Sequence, residues 1–177
     1  MRTTRTLDAL LFLIGGIAFA DPAREGPPFH GAMGDEHPAD FTLQGLDGQP
    51  VSLSQFLGKK PVLLVFWATW CPECKDAFPK INALHGGPAG KKMQILALDF
   101  RETREKVAAA VKSRGIRYPV LLDEKGQVAR AFGVVGIPTY VLIGRAGKVV
   151  YRENVLPGDI SRYLSRVPPF VRSVAAL

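Results

Sequence analysis

Residues 61–74 of the chain read PVLLVFWATWCPEC, and this stretch decides the fold. Pro61–Ala68 is an almost continuous apolar run of β-branched and aromatic residues, which is typical of a strand buried on both faces. Cys71 and Cys74 follow directly, and a helical pattern that includes Pro79 continues beyond them. The sequence therefore predicts a buried strand that leads into a CxxC motif at the start of a helix.

The segments around this stretch predict an α/β fold. Upstream, Phe41–Leu43 and Val51–Leu53 flank the turn residues Asp47-Gly48 and are predicted to form a hairpin. Downstream, the pattern predicts strands at 94–99, 118–122, 139–143 and 148–152 and helices at 127–132 and 159–167. It also predicts a helix that is capped by Thr103 and ended by Gly115. Alternation gives a parallel pair first, and the closing hairpin adds antiparallel strands, with helices on both faces.

The start of the chain has the features of a signal peptide. Arg2 and Arg5 supply the positive charge, an apolar run extends from Ala9 to Ala20, and Ala18-Phe19-Ala20 has the small-x-small cleavage pattern. Such a run is too short to span a bilayer comfortably. We therefore expect export and cleavage after Ala20, with a buried N-terminal helix and an uncleaved membrane anchor as the alternatives.

The remaining chain divides into three parts. Residues 21–38 are rich in proline, glycine and charge, which predicts a flexible leader. Residues 39–167 contain all the predicted strands and helices and are expected to form one domain, and residues 168–177 are expected to form a loose tail. A total of 177 residues, 47% of them apolar, suits one compact domain with terminal extensions.

The net charge of +7 comes from lysines and arginines spread along the chain. A nucleic-acid-binding protein would concentrate them on one face or arm, so we expect no nucleic-acid partner. A basic surface instead favours contact with an acidic partner or a membrane surface.

The chain contains only two cysteines, three positions apart. They must bond to each other, bind a ligand or act in redox chemistry. A four-cysteine zinc site is excluded by number, and His30, His37 and His85 lack finger-like spacing from the CxxC motif. A static disulfide and a metal half-site remain as alternatives to redox chemistry.

The predicted strand-to-helix junction favours redox chemistry. Positions i and i+3 of a helix share a face, so the two sulfurs can meet. Cys71 would occupy the N-cap, where free N–H groups and the helix dipole favour a thiolate, and Pro72 fits the first turn. We expect Cys71, at the exposed helix start, to attack a substrate disulfide and the more buried Cys74 to resolve the mixed disulfide.

A helix terminus contributes about 0.3–2 kcal/mol, enough to lower a thiol pKa from about 8.5 toward about 7. Glu73 opposes a larger decrease, because a nearby carboxylate disfavours a thiolate. We therefore expect a mildly lowered pKa for Cys71. This favours a reductant over a disulfide-forming oxidase, which needs a more stabilised thiolate.

Phe66–Cys74 resembles the active-site segment of TlpA/ResA-like thioredoxin-fold proteins. Pro119–Asp123, Gly133–Thr139 and Gly147–Val150 resemble, in the same order, the family's extended piece after an extra helix, its cis-proline loop and its last hairpin. The resemblance covers about residues 39–167. It implies a thioredoxin fold: a central mixed sheet flanked by helices, with an N-terminal β-hairpin extension and a family helix insertion.

The resemblance also implies a function. Members of this family reduce disulfides outside the cytoplasm, typically in apocytochrome c or copper-site proteins, with electrons from a membrane thiol reductant. It implies a cis Ile137–Pro138 bond facing the CxxC motif, with the residue before proline offering backbone groups to an extended substrate peptide. We expect no cofactor and no metal ion.

Several residues depart from related proteins. Thioredoxin has a buried aspartate where this chain has Val65, and many relatives have a glutamate where it has Ala77. Glu73 or Asp76 is then a candidate for proton handling, against the alternative of a solvated helix charge. Trp67 is predicted to lie in the core. Trp70 is predicted either to shape the substrate rim or to pack.

Two further alternatives use the same fold. A peroxiredoxin would carry a threonine three positions before its reactive cysteine, where this chain has Ala68. A copper chaperone or metal-binding module would use the CxxC sulfurs as ligands, and His30, Met33 and His37 offer a second, loosely spaced set of metal ligands.

The signal-peptide prediction is tested by N-terminal sequencing of the protein after expression in an exporting host. Because Ala18-Phe19-Ala20 has the cleavage pattern, the mature chain should begin at Asp21. A protein that begins at Met1 would contradict cleavage.

Overall fold

The computed structural model describes residues 37–165, in which seven strands form one mixed sheet. The strands are β1 (Thr42–Gly45), β2 (Pro50–Ser52), β3 (Val62–Trp67), β4 (Gln94–Phe100), β5 (Val120–Asp123), β6 (Thr139–Ile143) and β7 (Val149–Glu153). The α-helices are α1 (Pro72–Gly86), α2 (Pro88–Lys92), α3 (Arg104–Arg114), α4 (Gln127–Ala131) and α5 (Ser161–Ser165). A short 3₁₀ turn, Leu53–Gln55, follows β2.

The strand order is β2-β1-β5-β4-β3-β6-β7, which confirms the predicted mixed sheet. β3 pairs in parallel with β4, and β4 pairs in parallel with β5. β6 and β7 are antiparallel and add to the other side of β3. The predicted N-terminal hairpin is also confirmed: β1 pairs with β2 and joins the sheet through an antiparallel pairing with β5.

β3 is apolar throughout because both of its faces are covered. Trp67, on one face, packs edge-on against Phe78 of α1 with ring centroids 5.1 Å apart. Phe66, on the other face, packs against Phe132 just after α4 at 5.6 Å. All six β3 residues are buried, and each large apolar side chain so buried contributes roughly 1.5–3 kcal/mol. The strand before the CxxC motif is therefore anchored on both sides of the sheet.

The other predicted strands and helices have the predicted type in the structure, and only their first and last residues differ from the prediction. α3 ends at Gly115, whose φ of 61° is a left-handed conformation suited to glycine, as predicted. The expectation that the Thr103 side chain caps α3 is wrong: Thr103 occupies the N-cap position without a capping hydrogen bond, and its hydroxyl interacts with Glu105. The short helix α2 was not predicted.

The ends of the chain carry predictions that lie outside the described residues. These are the signal peptide, residues 21–36 of the leader, the last part of the final helix and the C-terminal tail. Within residues 37–165, no helix is long and apolar enough to cross a membrane.

Candidate redox site

Cys71 lies at the junction predicted from the sequence. β3 ends at Trp67 and α1 begins at Pro72, and the last of the four residues between them, Cys71, is the N-cap of the helix. Its backbone is extended (φ −77°, ψ 115°), and its sulfur accepts the backbone N–H of Cys74 at 3.1 Å. Proline at the first helical position forfeits no helical hydrogen bond. The sulfur therefore occupies the position where helix N–H groups favour negative charge.

Cys71 and Cys74 form a disulfide, with Cα atoms 5.3 Å apart. The i and i+3 positions at the start of α1 bring the two sulfurs together, as the spacing predicts. The expected difference in exposure is wrong in this oxidised state, since Cys71 and Cys74 are each 1% exposed. The Ile137 carbonyl oxygen lies 3.7 Å from the Cys71 sulfur.

The loop that covers the disulfide contains a cis peptide bond between Ile137 and Pro138, as the family resemblance implied. Asn154, which follows β7, donates from its side-chain amide to the Pro138 carbonyl at 2.7 Å and to the Thr139 hydroxyl at 3.0 Å. The Thr139 hydroxyl donates in turn to the Gly136 carbonyl. Asn154 was not predicted as a site residue, because only the pairing of β6 with β7 brings it beside the loop.

An open cleft of about 720 Å³ runs beside this loop. Glu73, Asp76 and Ala77 of α1 line one side, and the segments 135–138 and 154–158 line the other. Val135 and Val155 in these segments are 99% and 70% exposed, and Trp70 before Cys71 is 58% exposed. These three are the exposed large apolar side chains of the described residues. Apolar side chains exposed beside a cleft are typical of a surface that binds a partner.

The predicted site residues divide into two groups. Trp70, Pro72, Glu73, Ile137 and Pro138 all lie around the disulfide, with Ile137 half-buried and Pro138 buried. Trp67 is 1% exposed and belongs to the core, as predicted. Val65 and Ala77 are buried in the same core as the cysteines, so neither of these positions places an ionisable group beside the disulfide.

Glu73 places a carboxyl group close to the sulfur of Cys71, the cysteine that is predicted to attack the substrate. Its Oε2 atom lies 4.0 Å from the Cys71 sulfur, although the side chain itself is exposed. The helix N-terminus and this carboxylate therefore act on the same sulfur in opposite directions.

A second set of charged groups holds the segment between β3 and Cys71. Glu102 accepts hydrogen bonds from the Thr69 backbone N–H at 2.5 Å and from the Thr69 hydroxyl at 2.7 Å. The Arg114 guanidinium donates to the Thr69 carbonyl at 2.7 Å and lies over the Phe78 ring. Neither Glu102 nor Arg114 was predicted as a site residue. The only feature of the sequence that could have indicated Glu102 is its place three positions after Asp99, the acidic residue that ends the buried strand QILALD.

No group of three or more histidine, cysteine, aspartate or glutamate side chains in residues 37–165 is arranged to hold a metal ion. His30 and Met33 of the alternative copper-binding set lie outside the described residues.

The chain is similar in sequence and in fold to proteins that are already known. Residues 33–152 match the model of the AhpC/TSA family. Thiol-disulfide oxidoreductase ResA of Bacillus thuringiensis subsp. konkukian is 34% identical over 139 residues, which are 77% of this chain and 79% of that protein. ResA of Geobacillus thermodenitrificans is 33% identical over 78% of this chain and 79% of that protein. The thioredoxin domain of a thiol-disulfide oxidoreductase from Bacteroides vulgatus superposes with a TM-score of 0.64 at 26% identity, covering 75% of this chain and 92% of that one.

The 4.0 Å separation between Glu73 and the Cys71 sulfur predicts the effect of removing the carboxylate. In the reduced protein, Glu73→Gln should lower the pKa of the Cys71 thiol and raise the thiolate fraction about three- to tenfold at a pH below that pKa. The thiolate absorbance at 240 nm, followed against pH, measures this change. The difference should shrink at high salt, because Glu73 is exposed.

Asp76→Asn is the matched control, since Asp76 is an exposed acid on the same helix turn. An equal effect of both substitutions would contradict a specific role for Glu73 and leave only a general effect of surface charge.

Proposed function

We propose that this protein reduces disulfides in exported proteins through Cys71 and Cys74. The chain belongs to the AhpC/TSA family and, within it, to the ResA-like thiol–disulfide oxidoreductases. The observation that carries this proposal is the Cys71–Cys74 disulfide at the start of α1, next to an open cleft with exposed apolar side chains. A disulfide with a purely structural role needs neither a helix N-terminus at its sulfur nor a cleft beside it.

The reaction uses the reduced, dithiol form. The Cys71 thiolate attacks one sulfur of a substrate disulfide, a Cys71–substrate disulfide forms, and the second substrate sulfur leaves as a thiolate that takes up a proton. Cys74 then loses its proton and attacks the Cys71 sulfur, which releases the second substrate thiol and leaves the Cys71–Cys74 disulfide. Two electrons pass to the substrate, so a thiol reductant must return two electrons to the pair.

Cys71 is the attacking residue in this proposal because of its place at the N-cap. Its sulfur accepts the Cys74 N–H at 3.1 Å, and this hydrogen bond stabilises a thiolate at Cys71. Cys74 lies within the first turn and packs against the core, which suits the resolving residue.

The cis-proline loop is the proposed substrate-binding element. The Ile137 carbonyl lies 3.7 Å from the Cys71 sulfur, so an extended peptide that pairs with the backbone of Ile137 places its cysteine at Cys71. Pro138 removes a competing N–H at this point, and Asn154 holds the loop in place. Trp70 and Pro72, both exposed, form the rim on the side of the helix.

The proposed substrates are exported proteins whose cysteines must be reduced before a cofactor or metal is attached, such as apocytochrome c or proteins with copper-site cysteines. The proposed electron donor is a membrane thiol reductant, and the proposed location is the periplasm or another extracytoplasmic compartment. Support comes from the family resemblance of residues 39–167 and from the signal-peptide pattern that ends at Ala20.

Trapping tests the assignment of the two cysteines. Cys74→Ala should accumulate a mixed disulfide with substrate protein, because the attack by Cys71 is intact and resolution is lost. Cys71→Ser should accumulate none. The measurement is non-reducing gel electrophoresis of the exported protein, with identification of the bound partner by mass spectrometry.

A Cys71→Ser protein that still exchanges disulfides would contradict the assignment. Substrates confined to proteins without cofactor-site or metal-site cysteines would leave the chemistry intact and reject the proposed substrate class.

A further inference from the structure

Asp99 is a buried carboxyl group that the disulfide exchange does not use. It lies in β4 with 0% exposure, and neither of its oxygens accepts a well-formed hydrogen bond from a described residue. In the sheet it is in register with Trp67 of β3 and Leu122 of β5, neither of which titrates. A buried carboxylate without a well-formed hydrogen bond is costly, so Asp99 favours the protonated form, which is itself a donor.

The group that faces Asp99 is the carboxyl group of Glu102, which is 7% exposed. Glu102 has the donors that Asp99 lacks: the Lys106 ammonium at 2.5 Å, and the N–H and hydroxyl of Thr69. Two facing carboxyl groups cannot both ionise without repulsion, and a hydrogen bond between them requires a proton on one. Because Lys106 and Thr69 donate hydrogen bonds to Glu102, the negative charge is more stable on Glu102 and the proton is bound to Asp99.

The pKa directions agree with this assignment. Burial and then the charge of Glu102 raise the pKa of Asp99 to about 8, although the Glu102 backbone N–H and the Lys106 charge act in the opposite direction. Burial acts against the ionised form of Glu102 as well, but hydrogen bonds from Lys106, Thr69 and Asp99 outweigh it and lower its pKa.

This carboxyl pair is connected to the redox site through Thr69. Glu102 binds the N–H and hydroxyl of Thr69, and Arg114 binds its carbonyl, so every polar group of Thr69 is held by a charged side chain. Trp70 and Cys71 follow directly in the chain. A displaced Glu102 carboxylate would release the segment that positions the Cys71 sulfur.

We propose that Asp99 is a positioning residue for disulfide exchange, whose proton, shared with Glu102, keeps Thr69–Cys71 in the geometry in which Cys71 attacks. When Asp99 loses this proton, its charge repels Glu102, the hydrogen bonds to Thr69 weaken, and the attack slows. The proposal rests on the proposed function only in taking Cys71 as the attacking thiol. It needs no particular protein substrate.

The test is the pH profile of the reaction of the reduced full chain with oxidised glutathione, a small disulfide that needs no protein-binding surface. The wild-type rate constant should rise as Cys71 ionises and then fall about tenfold above about pH 8, the scale expected for loss of one hydrogen bond to a charged group. Asp99→Asn should remove the fall and leave a plateau, because the Asn amide donates to Glu102 at every pH.

Glu102→Gln is the second variant, since its amide can donate to Asp99 and its carbonyl can still accept from Thr69. It should also remove the alkaline fall. Glu105→Gln, an exposed acid in the first turn of α3, is the matched control and should keep it. A wild-type profile that only rises to a plateau, or a fall that persists in both Asp99→Asn and Glu102→Gln, would overturn the proposal.

The proton itself is observable in the ¹³C resonance of the Asp99 carboxyl group. It should titrate far above the ordinary aspartate range in the wild type and return toward that range in Glu102→Gln. Titration of Asp99 near pH 4 in the wild type, as for a solvated aspartate, would overturn the proposal whatever the exchange rates show. Failure of substrate trapping with an intact Asp99 titration would reject the proposed function alone.

Discussion

The burial of β3 on both faces of the sheet is the constraint on which the redox site depends. Trp67 and Phe66 pack to opposite sides, against α1 and against Phe132, so the end of the strand cannot shift without disturbing two cores. Only three residues separate this end from the N-cap of α1. Hydrophobic packing therefore fixes the end of β3, and the hydrogen bonds of Thr69 to Glu102 and Arg114 hold the short segment between this end and Cys71.

Electrostatics at that sulfur is a balance of opposing effects of similar size. A helix N-terminus is worth about 0.3–2 kcal/mol, and a carboxylate at 4.0 Å opposes it by about 1 kcal/mol where solvent screens the pair. The balance keeps the thiolate only moderately stabilised. Because a strong oxidase is one whose reduced form is highly stabilised, a moderately stabilised thiolate makes the dithiol a better reductant. This suits a protein that donates electrons to a substrate disulfide.

The sequence was sufficient for features determined by local pattern. The apolar run before Cys71, the glycine that ends α3 and the hairpin around Asp47-Gly48 follow from periodicity and turn chemistry, and the cis Ile137–Pro138 bond followed from family resemblance. Asn154, Arg114 and the Asp99–Glu102 pair were missed because Asn154, Arg114 and Glu102 each bind a segment that is distant in sequence. The equal burial of Cys71 and Cys74 was missed for the same reason, since the covering loop lies more than 60 residues away.

The standard reduction potential of the Cys71–Cys74 couple, measured by equilibration with glutathione, tests the central claim most directly. A Cys71 thiolate stabilised by the helix N-terminus and opposed by Glu73 predicts a potential between about −180 and −270 mV, the range of isomerase- and thioredoxin-like couples. A potential near about −120 mV, as in a strong disulfide-forming oxidase, would contradict a reducing role for this site.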